Sequence, residues 1–159
     1  MKRYISAASL VLAVLAVLGL TGPAAAQVQV PFKGALAGLD VTTAVNPPSI
    51  SARVTATGNA TQLGTFAYIE LITVDTRTKM AAGTFLFTAA SGDTVVGTIS
   101  GKARVTGPNV LTIVENAIIT GGTGRFAGST GSFTVTRLKN TVTGSTAGSF
   151  NGTISAPGP

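Results

Sequence analysis

Phe66-Ala67-Tyr68-Ile69-Glu70-Leu71-Ile72 alternates with a period of two. An extended chain sends successive side chains to opposite faces, so Phe66, Tyr68, Glu70 and Ile72 share one face while Ala67, Ile69 and Leu71 share the other. Both faces are partly apolar. No helical i, i+3, i+4, i+7 pattern runs through this stretch, or through any window beyond residue 26. The strand opens on Gly64-Thr65-Phe66, and a Thr-rich turn separates it from Gly83-Thr84-Phe85. The arrangement recurs at Gly131-Ser132-Phe133 and Gly148-Ser149-Phe150. It reads as one hairpin used twice. In this repeat Phe133 corresponds to Phe66, and Arg137 falls where the first copy has Glu70.

Working outward, Thr, Val, Gly, Ser and Ala dominate, which is strand-and-turn composition. Turn signals recur at Asn46-Pro47-Pro48, Thr57-Gly58-Asn59, 90–93, Gly107-Pro108-Asn109, 121–124 and 140–144. Between them the pattern predicts strands over 28–38, 50–57, 64–75, 81–90, 93–105, 109–120, 131–139 and 146–155. The expected fold is all-β, an eight-stranded antiparallel up-and-down barrel in which closure removes the sheet edges. A β-sandwich is the alternative.

The first 26 residues read as a signal peptide. Lys2 and Arg3 precede an apolar run from Ile5 to Leu20, Gly22-Pro23 interrupts it, and Ala24-Ala25-Ala26 offers a small-residue cleavage site. Cleavage after residue 26 of 159 leaves 133 residues, enough for one domain. The expectation is one barrel over 27–159, exported to the periplasm or the medium. With no Cys, the domain must be stable without disulfides, and lipidation at a new N-terminal Cys is excluded.

With neither His nor Cys, the commonest general base and the usual zinc or haem ligands are missing. No metal and no cofactor is expected. Lys2 and Arg3 account for two of the eleven basic residues, so the remaining nine face five acidic ones, about +4. These nine are scattered along the sequence. The pairs Arg77/Lys79, Lys102/Arg104 and Arg137/Lys139 read as solvated charges sharing a strand face. A basic stripe interleaved with stacking aromatics is absent, so no nucleic-acid partner is expected. The seven Phe and Tyr68 are too few for the aromatic girdles of a transmembrane barrel, so no membrane partner is expected after signal cleavage.

The stretch 118–133, with its Gly121-Gly122-Thr123-Gly124-Arg125-Phe126-Ala127-Gly128 centre, resembles a segment of uncharacterised exported bacterial proteins. Gly58-Asn59-Ala60-Thr61-Gln62-Leu63-Gly64-Thr65-Phe66 and Gly148-Ser149-Phe150-Asn151-Gly152-Thr153-Ile154 are similar to two further stretches of that family. The bacterial relatives often carry His where Gln62 stands here. The Gly-Gly-Thr-Gly-x-Phe centre is also similar to that of plant dirigent proteins, and more loosely the chain resembles allene oxide cyclases. The resemblance implies an eight-stranded antiparallel barrel with a central cavity that shapes an apolar ligand. It transfers no catalytic residue of either family to a position in this chain.

Gly122-Thr123-Gly124-Arg125-Phe126-Ala127 formally fits a dinucleotide fingerprint, but such a site needs a helix beginning there. Ser132-Phe133-Thr134-Val135-Thr136 reads as a strand instead. Gly121, Gly122, Gly124 and Gly128 are therefore expected to build a turn or bulge with Phe126 tucked beneath it. Asp40, Asp75 and Asp93 stand near predicted turns and are read as Asx-type turn residues. No clustered oxygen set suits calcium.

Candidate ligand contacts are Phe66, Tyr68, Glu70, Glu115 and Arg137. If the Phe66 face lines the barrel, Glu70 and Arg137 can pair in the lumen; otherwise they are exterior or rim charges. Glu115 lies in Leu111-Thr112-Ile113-Val114-Glu115-Asn116-Ala117-Ile118-Ile119, apolar on both faces, which suits a strand covered on both sides or a homo-oligomer contact. A carboxylate there is a candidate for a raised pKa. Two functions remain open. One is a non-catalytic barrel that binds a small apolar ligand or serves as an extracellular structural or interaction module. The other is a cyclase or isomerase with Glu70 or Glu115 as its acid–base group and Tyr68 or Arg137 steadying developing charge.

Overall fold

The computed structural model describes residues 27–158. The signal-peptide reading lies outside these residues. They form a closed barrel of eight strands in meander order: β1 (Gln29–Asn46), β2 (Ser49–Ala60), β3 (Gly64–Asp75), β4 (Met80–Ala89), β5 (Thr94–Gly107), β6 (Val110–Gly122), β7 (Gly131–Asn140) and β8 (Ser145–Ser155). All neighbouring pairs are antiparallel, and β8 closes onto β1 from Gln29↔Ser155 to Leu39↔Ser145. The barrel is the expected fold, and the sandwich alternative is set aside.

Two boundaries differ from the expectation by more than two residues. β1 continues to Asn46 rather than stopping at residue 38, because Asp40 is no turn residue. Its carboxylate points into the lumen, 3 % exposed, and keeps the inward phase of Phe32 and Leu36. β2 likewise runs on to Ala60 through the turn signal at Thr57-Gly58-Asn59. Gly58 is a lumenal glycine opposite Phe66, and the chain reverses only at 61–63.

Gly58 belongs to a set. Facing inward, Gly97 pairs with Phe85, Gly101 with Glu115, Gly148 with Arg137 and Gly152 with Phe133. A small barrel has room for large side chains only if the facing positions are small. A Cβ on Gly148 would stand 2.6 Å from both Cα and Cβ of Arg137. Gly148→Ala is therefore expected to lower stability by about 1–3 kcal/mol through overpacking. Denaturant unfolding, with an unchanged m value, is the measurement.

The turn expected from Gly121 to Gly128 begins later, since Gly121 and Gly122 are still paired in β6. A 3-10 turn, Gly124–Phe126, follows β6, Gly124 and Gly128 take φ of 57° and 69°, and Phe126 is fully buried. No α-helix starts there, so the dinucleotide reading fails. The β5–β6 register slips between Val96 and Gly97, and Gly121 pairs with Val96 at that bulge.

The outer side of the strands is mostly Thr, Ser, Ala and Asn, carrying Lys33, Arg53, Lys102 and Arg104. This is not the continuous apolar band of a lipid-spanning barrel. Val114 and Ile118 of β6 are exposed. Segment 111–119 thus has one buried face and one uncovered.

Candidate functional site

The lumen is divided along its axis. At the end holding the turns 61–63 and 90–93 and the 3-10 turn, it is filled by Phe32, Phe66, Phe85, Phe87, Phe133 and Phe150. Their rings meet mostly edge to face, as in Phe66–Phe87 at 5.0 Å and Phe85–Phe133 at 5.2 Å. Such pairs add about 0.5–1.5 kcal/mol each beyond the area they bury. Phe66 therefore belongs to this plug.

Above the plug sits a belt of charge. The repeat explains its geometry: β3 and β7 lie four strands apart in an eight-stranded barrel, so Glu70 and Arg137 approach from opposite walls. Arg137 is 1 % exposed. Its Nε and Nη2 donate to Glu115 Oε2 and Oε1 at 3.0 and 3.1 Å, a bidentate pair. Its Nη1 donates to Asp40 Oδ2 at 2.7 Å and to Thr146 Oγ1 at 3.3 Å. Arg137 Nη2 stands 3.7 Å from Glu70 Oε1, an ion-pair contact but not a hydrogen bond. Lys139 Nζ donates to the other oxygen of Asp40. Tyr68 Oη donates to Glu70 Oε2 at 2.8 Å. The exterior or rim reading of Glu70 and Arg137 is thereby corrected. The solvated reading of Arg137/Lys139 fails too, since their face turns inward.

Glu70 is the strained member. Among the described residues, no group donates to its buried Oε1. Burial first, and the Glu115 carboxylate second, push its pKa up to about 8. Three carboxylates (Asp40, Glu70, Glu115) meet two cations (Arg137, Lys139). A proton on Glu70 makes the belt neutral, the state a low-dielectric interior favours. Burial, and then the nearby Glu70 carboxylate, hold the Tyr68 phenol well above its ordinary value. Burial opposes the charge on Arg137, but its bonds to Glu115 outweigh this and raise its pKa further.

Beyond the belt the lumen opens into a cavity of about 300 Å³. Its walls are aliphatic, with Ile50, Ile72, Val74, Ala81, Ala103 and Ile113 among them. Asp40, Glu115, Arg137 and Lys139 line it as well and form its charged floor, whereas Tyr68 and Glu70 lie beneath. The mouth is framed by four turns tied to neighbouring strands and to one another. Thr76 N–H donates to Pro48 C=O at 2.8 Å, Ala103 N–H to Lys79 C=O at 3.3 Å, Thr141 N–H to Asn109 C=O at 2.9 Å and Asp40 N–H to Gly144 C=O at 2.8 Å. The opening is thus preformed. No protein-family model, no curated protein and no solved structure matches this chain.

Of the expected contacts, Glu115 and Arg137 line the cavity, Tyr68 and Glu70 support its floor, and Phe66 is remote. Asp40, Thr146 and Lys139 were not anticipated. A signal for Asp40 existed, because Phe32, Gly34, Leu36, Gly38 and Asp40 hold one alternation phase. Asp75 does behave as an Asx-turn residue, accepting from the Arg77 and Thr78 N–H groups at 2.8 and 3.1 Å. With the Arg77 side chain, these hold its carboxyl at about 2. Asp93 accepts from Ser91 Oγ in its turn and contacts Arg125 at 3.7 Å.

Proposed function

We propose that this barrel is an exported, non-catalytic binding protein for a small, predominantly apolar molecule, held in the open half of its lumen. The observation that carries the reading is the cavity itself, with aliphatic walls, a rigid mouth and a volume of about 300 Å³, at the small end of the ~300–1,000 Å³ usual for ligand pockets. A barrel with a purely structural role can fill its lumen with its own side chains, as this one does only in its aromatic half. The resemblance to dirigent and allene oxide cyclase barrels points the same way, since there the cavity shapes an apolar ligand.

The cyclase or isomerase reading has less support. Glu115 is the acidic group that touches the cavity beside Asp40, and each is held by Arg137. Both oxygens of each carboxylate are already engaged by Arg137 or Lys139, so neither presents a free oxygen to a ligand. Glu70, whose pKa burial raises to about 8, lies below the floor and does not line the cavity.

Native mass spectrometry of the protein purified from its own host should find a small apolar molecule bound one to one. Ala103→Phe places a ring in the cavity and should cut occupancy by at least about tenfold, or ~1.4 kcal/mol. Undiminished occupancy in that variant would put the ligand elsewhere. A wild-type protein that arrives empty and takes up no neutral apolar fluorophore would end the proposal.

A further inference from the structure

The fold sorts the charges of this chain in a way the sequence does not display. Three of its five acidic residues (Asp40, Glu70, Glu115) are inside the barrel, leaving Asp75 and Asp93 at the surface. Each of these two already faces an arginine, Arg77 at 3.2 Å and Arg125 at 3.7 Å. Apart from Arg137 and Lys139 in the lumen, the basic residues described lie outside, and four of these seven gather at one end. Arg77 and Lys79 sit in the turn between β3 and β4, and the Lys79 carbonyl accepts from Ala103. Lys102 and Arg104 flank that same Ala103 on the outward face of β5. Lys79, Lys102 and Arg104 make no ion pair among the described residues. All of them lie at the open end. Arg53 stands on the outer wall of β2 between the two ends, and the aromatic end has Lys33 and the already paired Arg125.

Apolar side chains project from the same end. Val45 precedes the β1–β2 turn, Val105 ends the inward phase of β5, and Val142 lies in the β7–β8 turn. They are 62, 75 and 73 % exposed, and Met80 beside Lys102 is 48 % exposed. Valines at loop tips gain nothing in water. A cluster of unpaired cations on the β4–β5 flank of a mouth with protruding aliphatic side chains is complementary to one kind of surface, an anionic headgroup layer over hydrocarbon.

We infer that the open end of the barrel docks on an anionic lipid bilayer, with Val45, Val105 and Val142 entering the interface and Lys79, Lys102 and Arg104 contacting the headgroups. This orientation turns the cavity mouth toward the lipid. The barrel lies on the membrane and does not span it. The expectation of no membrane partner rested on the shortage of girdle aromatics, which bears on spanning a bilayer and not on resting against one. The docking stands independently of any cavity ligand.

The test uses the chain from Gln27 onward, whose strands close the barrel among themselves, and sedimentation with large unilamellar vesicles. Vesicles of phosphatidylcholine with a third phosphatidylglycerol should bind the protein, and pure phosphatidylcholine should bind it far more weakly. Lys79→Asn with Lys102→Gln and Arg104→Gln removes three charges, Asn at 79 suiting the left-handed backbone there (φ 62°). At roughly fivefold per cation, partitioning should fall on the order of a hundredfold. Val45→Ser with Val105→Ser and Val142→Ser should also weaken it at unchanged net charge. Lys33→Gln, at the other end, should leave it within about twofold. All these sites are exposed, so each variant should unfold as the wild type does. The inference is overturned if wild type ignores the anionic vesicles, or if Lys33→Gln costs as much as a mouth cation. Binding to a soluble polyanion just as tight, with the serine variant unaffected, would assign the basic end to a polyelectrolyte instead.

Discussion

Arg137→Met should destabilise the barrel by about 3–5 kcal/mol at neutral pH, the largest effect of any single substitution here. The guanidinium holds Glu115 through two bonds, Asp40 through one, and approaches Glu70 from the facing wall. Methionine keeps much of the volume but strands carboxylates about 1 % exposed, with Lys139 as the remaining cation of the belt. Removing one partner of a buried ionic cluster leaves charge without solvent, which costs more than the pair contributed. The part of the loss that comes from Glu70 should shrink at low pH, where that group is protonated with or without the guanidinium. Arg137→Lys should restore little, because an ammonium cannot reproduce the fork that grips Glu115. Urea unfolding of the three proteins at pH 7 and pH 4 is the measurement. A loss below about 1 kcal/mol for Arg137→Met would mean that the belt is wet in solution.

The second large effect has the opposite sign. Glu70→Gln should stabilise the protein at pH 7 by about 3 kcal/mol. The folded-state pKa of Glu70 is raised to about 8, against an ordinary 4.5. Below pH 4.5 both folded and unfolded chains hold the proton, and its stabilising contribution is complete. Between pH 4.5 and 8 only the unfolded chain releases it, so stability falls by about 1.4 kcal/mol per pH unit for this group. Above pH 8 both states are ionised and the loss levels off. Glutamine keeps the shape, still accepts from Tyr68, and carries no charge at any of these pH values. The difference between variant and wild type should be small at pH 4 and grow through neutrality. A flat difference across that range would show that Glu70 is ionised in the folded state.

The sequence disclosed the barrel because alternation, turn residues and a repeated hairpin all pointed to one architecture. Within the site its reach was uneven. The Glu70–Arg137 approach was legible, because a repeat that uses one hairpin twice puts equivalent residues on opposing walls of a meander. Asp40 was hidden by its surroundings. Flanked by Gly38 and a Thr pair, it looked like the start of a turn, and only its partners in β7 reveal why an aspartate stays in a strand. Gly58 misled for a related reason, since a glycine that gives way to Phe66 across the sheet is indistinguishable in sequence from one that bends the chain. The polarity of the barrel was invisible. Which end fills with rings, and where the cations gather, depends on register between strands far apart in sequence, and no local pattern encodes that.

The seam between β1 and β8 joins Gln29 to Ser155. Until the last strand is made, the first has only one neighbour, and a C-terminal truncation leaves both edges raw. Pairing so distant in the chain is entropically late, so refolding should be slow, in the ~millisecond-to-second range of strongly non-local topologies. A polypeptide that reaches its final shape only when its tail arrives stays open until that last pairing is made.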